Sequence, residues 1–209
     1  MTIRRGAQWG AGCPLPDGAP IAATNAELRR LVTCQMRGDA PTVPVGVVGG
    51  DLWRVVGAPP GGVERLRGAR ARTAPIDLIE VAIEGHLRWA CVGVVARRSW
   101  WRGPVVAAAN VDRLGEWRIA PAAHPNDGRM HVVSTGIDQR PLSVTQRVLA
   151  RRRLRSGAHV PHPAISVQRV RRAEFRFDRS LAVWLDGERV GECRTLTVSV
   201  RPGAAAIAY

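Results

Sequence analysis

Carboxylates set in tight turns are the residues of this sequence best suited to chemistry. Asp186 and Glu188 flank a glycine within 180–191, SLAVWLDGERVG. Leu181, Val183 and Leu185 alternate with Ala182 and Trp184, the period of a half-buried strand. Asp186-Gly187 is a two-residue hairpin signal, because glycine takes the positive φ such a turn needs. A second apolar run, Leu196–Val200, follows. The spacing therefore predicts two carboxylates at a hairpin tip. It fits an ordinary Asp-Gly turn with solvated charges, and it also fits a pair available for proton transfer. Asp127, in Asn126-Asp127-Gly128, and Asp51, after Gly49-Gly50, stand in similar turns. Lysine does not occur, which excludes a Schiff base or a Walker lysine. Cys13, Cys34, Cys91 and Cys193 are widely spaced, which argues against zinc and for structural thiols in a reducing compartment.

The elements that must position these groups follow from periodicity. Residues 1–19 are rich in Gly, Pro and Ala, and a loose leader is expected there. Leu28, Leu31, Val32 and Met36 have helical spacing, with Thr24 or Asn25 able to cap. Residues 42–48, TVPVGVV, predict a buried strand; 52–57 and 61–68 predict short helices. From about Arg72 the pattern changes to short strands: 76–83, 87–95, 104–109, 130–135, 165–170, 173–177, 181–185, 196–200 and 205–208. One helix interrupts them at 143–155, capped by Ser143, with Val144, Val148 and Leu149 expected to face the sheets. Arg147, Arg151, Arg152, Arg153 and Arg155 are then expected to face outward. The fold class expected is α+β: an abbreviated α/β layer over 20–72 followed by a β-sandwich over 73–209.

Composition narrows the function. The 209 residues suffice for one large or two small domains. The formal net charge is +14, and all 31 basic residues are Arg. Acidic membrane surfaces, nucleotide phosphates and nucleic acid all suit such a charge. Nucleic-acid binding is disfavoured, because the Arg-rich helix carries no aromatics for base stacking. Trp100-Trp101 beside Arg97, Arg98 and Arg102 form one aromatic-basic patch, suited to a bilayer interface or to covering a sheet edge. The start lacks an apolar signal core, and the longest apolar run, Trp89–Ala96, is far short of the ~20 residues of a membrane helix. A cytoplasmic protein, peripheral to the inner face of the membrane, is expected.

Three ordered segments carry a family resemblance. They are Trp117-Arg118-Ile119-Ala120-Pro121 with Pro125–Val133, then Gly157-Ala158-His159 with His162-Pro163-Ala164-Ile165, then Leu185-Asp186-Gly187-Glu188 with Leu196-Thr197-Val198 and Arg201-Pro202-Gly203-Ala204. Together they resemble the bacterial diacylglycerol kinase-like lipid kinases, relatives of sphingosine kinase. The resemblance covers about Asn110 to the end well and 21–97 weakly; the family's first strand and helix have no counterpart.

That resemblance implies ATP-dependent phosphorylation of a lipid hydroxyl with Mg²⁺. Asp186 would be the base and Glu188 its partner beside metal-bound phosphates. A divalent ion would sit on the Asp127 carboxylate with the carbonyls of His124 and Arg129; His131 replaces an acidic residue of the pattern. Oxygen donors suit such a hard ion. The glycine-rich phosphate cradle falls on Ala23-Thr24-Asn25-Ala26-Glu27, where the glycines are gone and Asn25 replaces the acidic residue. A second nucleotide loop falls on Gly49, Gly50 and Asp51. Two functions remain open: an ATP-dependent lipid kinase, or a catalytically inactive module of the same family that binds anionic membrane lipid or a protein partner.

Overall fold

The computed structural model describes residues 9–137, 142–158 and 162–209. In chain order the elements are β1 (Ala11–Gly12), β2 (Ile21–Ala22), α1 (Asn25–Arg37), β3 (Val45–Val47), α2 (Gly50–Val55), α3 (Gly62–Arg67), β4 (Arg72–Ile83) and β5 (His86–Ala90). They continue as β6 (Gly93–Arg97), β7 (Val105–Ala109), β8 (Met130–Thr135), α4 (Val144–Leu154), β9 (Ser166–Val170), β10 (Arg172–Leu185) and β11 (Glu188–Ala208).

Strand order along the main path is β1-β4-β11-β10-β6-β7-β8-β9, with every neighbour antiparallel. The sheet folds over itself. Ile79, Val81 and Leu196 from its β4–β11 part share one buried cluster with Val94, Val106, Met130 and Val132 from β6–β8. This is the β-sandwich that period-two alternation predicts. Parallel strands β2 and β3 join at the end of β11, where Ile207 faces Val45 and Ala208 faces Gly46. A second cluster unites Leu28 and Val32 of α1 with Val47, Leu52, Ile76 and Ile207, so it spans positions on both sides of residue 72.

Several expectations change in the structure. Residues 1–8 lie outside the described residues, but from Trp9 the leader is not loose. β1 pairs with β4, Leu15 is buried, and the Trp9 indole donates to Pro75 O at 2.9 Å. The expected strand 87–95 is two strands, broken at Cys91-Val92, because the amides there turn to a side chain, as described below. The pairs 173–177/181–185 and 196–200/205–208 are each one long strand, with register shifts after Arg176 and Val183 in the first and after Arg201 in the second. Such bulges let one strand bend between the two layers.

Helix α4 is rotated relative to expectation. Its cap is as predicted: Ser143 and Gln146 form a reciprocal capping box. Val144 and Leu149, however, are exposed, and Arg147 is buried. Arg147 donates from Nε to Leu142 O at 3.2 Å and from Nη2 to Gly103 O at 2.6 Å. Satisfied donors make that burial tolerable.

Candidate functional site

β10 and β11 meet at Asp186-Gly187, with φ of 52° and 90°, the paired positive angles of a type I′ hairpin. Leu185 faces Glu188 across the turn. The Asp186 carboxylate is not solvated. It is only 6% exposed, and it accepts from Cys91 N at 2.7 Å (Oδ2) and from Val92 N and Gly93 N at 2.9 Å each (Oδ1). Burial pushes its pKa up to about 6, against the opposing pull of the three amides and Arg29. Glu188 is different: both its oxygens are held by α1, one by Arg29 and one by Arg30. Those bonds hold its pKa below the usual carboxylate range.

The loop before α2 meets the start of α1. Asn25 Nδ2 donates to Asp51 Oδ2 at 2.7 Å, and Asp51 N donates to Asn25 Oδ1 at 2.7 Å. Asp51 also accepts from Gly115 N at 3.0 Å and from Arg54 at 3.0 Å. The glycines allow this approach. A Cβ on Gly49 would lie 2.2 Å from Ala23 O; Gly50 has φ +83° and its Cβ would lie 2.5 Å from Asn25 Oδ1.

Asn25, Gly50, Asp51, Asp186 and Glu188 all line a single cavity of about 740 Å³. Much of the remaining wall is apolar: Val95, Val105, Ala107 and Val133 from the strands and Ile165 just before β9, with Leu142, Ala150 and Leu154 from the α4 region. Among the lining residues that sequence reasoning did not place are Arg97 and Trp184, and Arg147 and Arg151, which were expected to face outward. Arg97 sits in the aromatic-basic patch noted above, but no pattern placed its side chain inward. Trp100 also lines the cavity, packed edge-on at 4.5 Å against Trp117.

Residues 78–209 match the family described as the YegS C-terminal NAD kinase beta sandwich-like domain. The chain belongs to this family. In fold it is similar to a candidate diacylglycerol kinase from Bacillus anthracis str. Sterne, 11% identical, covering 90% of this chain and 76% of that one at a TM-score of 0.67. Another diacylglycerol kinase structure from that strain is 10% identical, covering 90% and 74% at a TM-score of 0.62. No curated protein matches.

The residues of this YegS-family chain fit a nucleotide phosphate poorly at the expected cradle. Thr24 caps α1, accepting from Glu27 N at 3.2 Å. The Glu27 carboxylate reaches back to Ala23 N at 2.8 Å and Thr24 N at 3.2 Å. Amides that would receive a phosphate are thus already paired, two of them to a resident anion.

The proposed metal residues of the YegS-type sandwich lie apart from the cavity lining. Asp127 Oδ1 accepts from Arg129 N at 2.9 Å, closing its own turn, and Oδ2 accepts from Arg169 at 2.8 Å. His124 Nδ1 accepts from Asn126 N at 3.1 Å, and burial lowers its pKa. The buried Asn126 Oδ1 has no partner and is a suitable hard donor, but Arg169 already supplies the positive charge beside Asp127. The arrangement fits a resident divalent ion poorly. A further carboxylate, Asp77, was not singled out from the sequence. It is fully buried in β4 and accepts from Gly128 N at 2.6 Å and Gly203 N at 2.8 Å. An aspartate inside the apolar run of β4 was the available signal. Among the described residues, no group of three or more His, Cys, Asp or Glu could hold a metal. No helix among them is long and apolar enough to cross a membrane.

Proposed function

We propose that this chain is a lipid-binding module of the diacylglycerol kinase family, in which the acyl part of a lipid occupies the sandwich cavity and its hydroxyl end approaches Asp186. The observation that carries this reading is the capped start of α1, where Glu27 takes the place a nucleotide phosphate would need. The cavity supplies the other half of the reading: its walls are mostly apolar, and Asn25, Asp51, Asp186 and Glu188 are among its few polar groups. Helix α4 supports work at an anionic membrane surface, since it exposes Val144 and Leu149 beside Arg151, Arg152 and Arg153.

The test is thermal melting with and without millimolar Mg-ATP, and separately with a short-chain diacylglycerol. A ligand at ~100 times its dissociation constant stabilises by about 2.7 kcal/mol, several degrees in Tm. Stabilisation by the lipid and none by Mg-ATP is expected. A Mg-ATP shift that Asp51→Arg abolishes would overturn the module reading.

One observation favours the kinase reading: Asp186 lines the cavity with a pKa near 6, suited to accepting a proton near neutral pH. In that reading the lipid hydroxyl attacks the γ-phosphorus of ATP, ADP leaves, and the hydroxyl proton passes to Asp186. Phosphate transfer to the lipid, abolished in Asp186→Asn while lipid binding persists, would establish it.

A further inference from the structure

Arg97 ends β6 inside the cavity wall, and its guanidinium lies 4.0 Å from the Trp184 ring centroid and 4.3 Å from that of Trp100. Stacking engages the π-faces of the rings and leaves the guanidinium N–H groups to find acceptors in their own plane. They find none. Nε is shielded from solvent without a hydrogen-bond partner, and no carboxylate among the described residues pairs with this side chain. Partial burial lowers its pKa. Other arginines of the protein are treated differently: Arg29, Arg54 and Arg169 have carboxylate partners, and Arg147 has two carbonyls.

A cation without a counterion, set in apolar walls, is costly unless a ligand supplies the missing charge. Arg147 and Arg151 line the same cavity, Arg151 lying over Trp101 and Trp117 at 5.5 and 5.3 Å. The carboxylates of the lining are engaged elsewhere: Asp51 with Arg54, Glu188 with Arg29 and Arg30, and Asp186 with three backbone amides. Asp186 grips the strand at Gly93, four residues before Arg97, a span of about 13 Å.

We infer that Arg97, held between Trp100 and Trp184, is an anion-receiving site within the cavity, and that the ligand it takes is a single-chain amphiphile with an oxyanion head. The head, carboxylate or phosphate monoester, pairs with Arg97, and the chain lies against the apolar walls of the cavity. This inference rests on the reading of the cavity as a lipid site and adds the charge of the lipid.

The test is calorimetric titration of the full chain, below micelle concentrations, with three ten-carbon probes: decanoate, decyl phosphate and decanol. At least one anionic probe should bind about tenfold or more tightly than decanol, as expected for a charge-assisted bond. Arg97→Met should remove that preference and leave decanol binding intact; Arg97→Lys should keep part of it. Circular dichroism checks that each variant folds. The relative strength of decanoate and decyl phosphate tells carboxylate from phosphate recognition. Equal binding of all three probes, or a preference that survives Arg97→Met, overturns the anion site but leaves the lipid cavity standing. No binding of any probe overturns both.

Discussion

Asp186 offers a prediction whose sign runs against the usual behaviour of acids in proteins. Most carboxylates that gain partners on folding are stabilised in their charged form, so stability falls on acidification. Burial of Asp186 outweighs its three amide donors, raising its pKa from 3.8 to about 6. A carboxyl group whose folded pKa lies above its unfolded value binds its proton more tightly in the fold. Its contribution is therefore fully present below the unfolded pKa and is lost as pH rises through the folded one. The whole displacement corresponds to about 3 kcal/mol, and roughly 2 kcal/mol of it falls between about pH 4.5 and 7.5. The side-chain amide of an Asp186→Asn variant cannot titrate, so the stability difference between wild type and that variant isolates this group from the other ionisations. The amide also turns a donor toward Cys91 N, where Oδ2 now accepts at 2.7 Å. Urea denaturation at a series of pH values measures the difference. Asp186→Asn should be more damaging at about pH 4.5 than at about pH 7.5, by roughly 2 kcal/mol. A difference that is flat, or that grows toward high pH, would refute the reasoning by showing that the amides, not burial, govern the carboxylate.

Three further substitutions probe the elements around the cavity. Gly49→Ala drives a methyl group to within 2.2 Å of Ala23 O, a backbone atom that cannot swing aside. Overpacking of this kind costs about 1–3 kcal/mol, and chemical denaturation should register it. On α4, Arg147→Leu leaves the carbonyls of Leu142 and Gly103 without their donor and should destabilise by about 1–3 kcal/mol. Leu149→Gln alters an exposed position and should stay within about 0.5 kcal/mol; the opposite ranking would mean that α4 packs through its apolar residues.

Local pattern sufficed for much of this protein. Alternation in 181–185 and the Asp-Gly pair specify the hairpin, because only a turn with two positive φ angles joins strands of that register. Thr24 and Glu27 at capping-box spacing specify the start of α1, and Ser143 and Gln146 that of α4. Ordered segments around Asp127 and Asp186 sufficed for the family. These are short-range rules, and neighbouring residues carry them whatever the rest of the chain does.

Partners distant in sequence were decided only by the tertiary structure. Asp186 lies 94 residues from Val92, whose amide it binds, and that side chain divides the expected strand 87–95 in two. Glu188 meets Arg29 from 159 residues away, which turns an expected phosphate-side carboxylate into half of an ion pair. Asp127 likewise meets Arg169, whose register opposite His131 on β9 follows from sheet order alone. The face that α4 turns inward was decided in the same way. Its few apolar residues form too weak a stripe to orient it, and the carbonyls waiting at Leu142 and Gly103 draw Arg147 inside. The sequence by itself determined the helix starts, the hairpin turn and the family. Which carboxylates are neutralised, and which partners the arginines of the cavity find, depends on pairings that only the closed sandwich brings within hydrogen-bond distance.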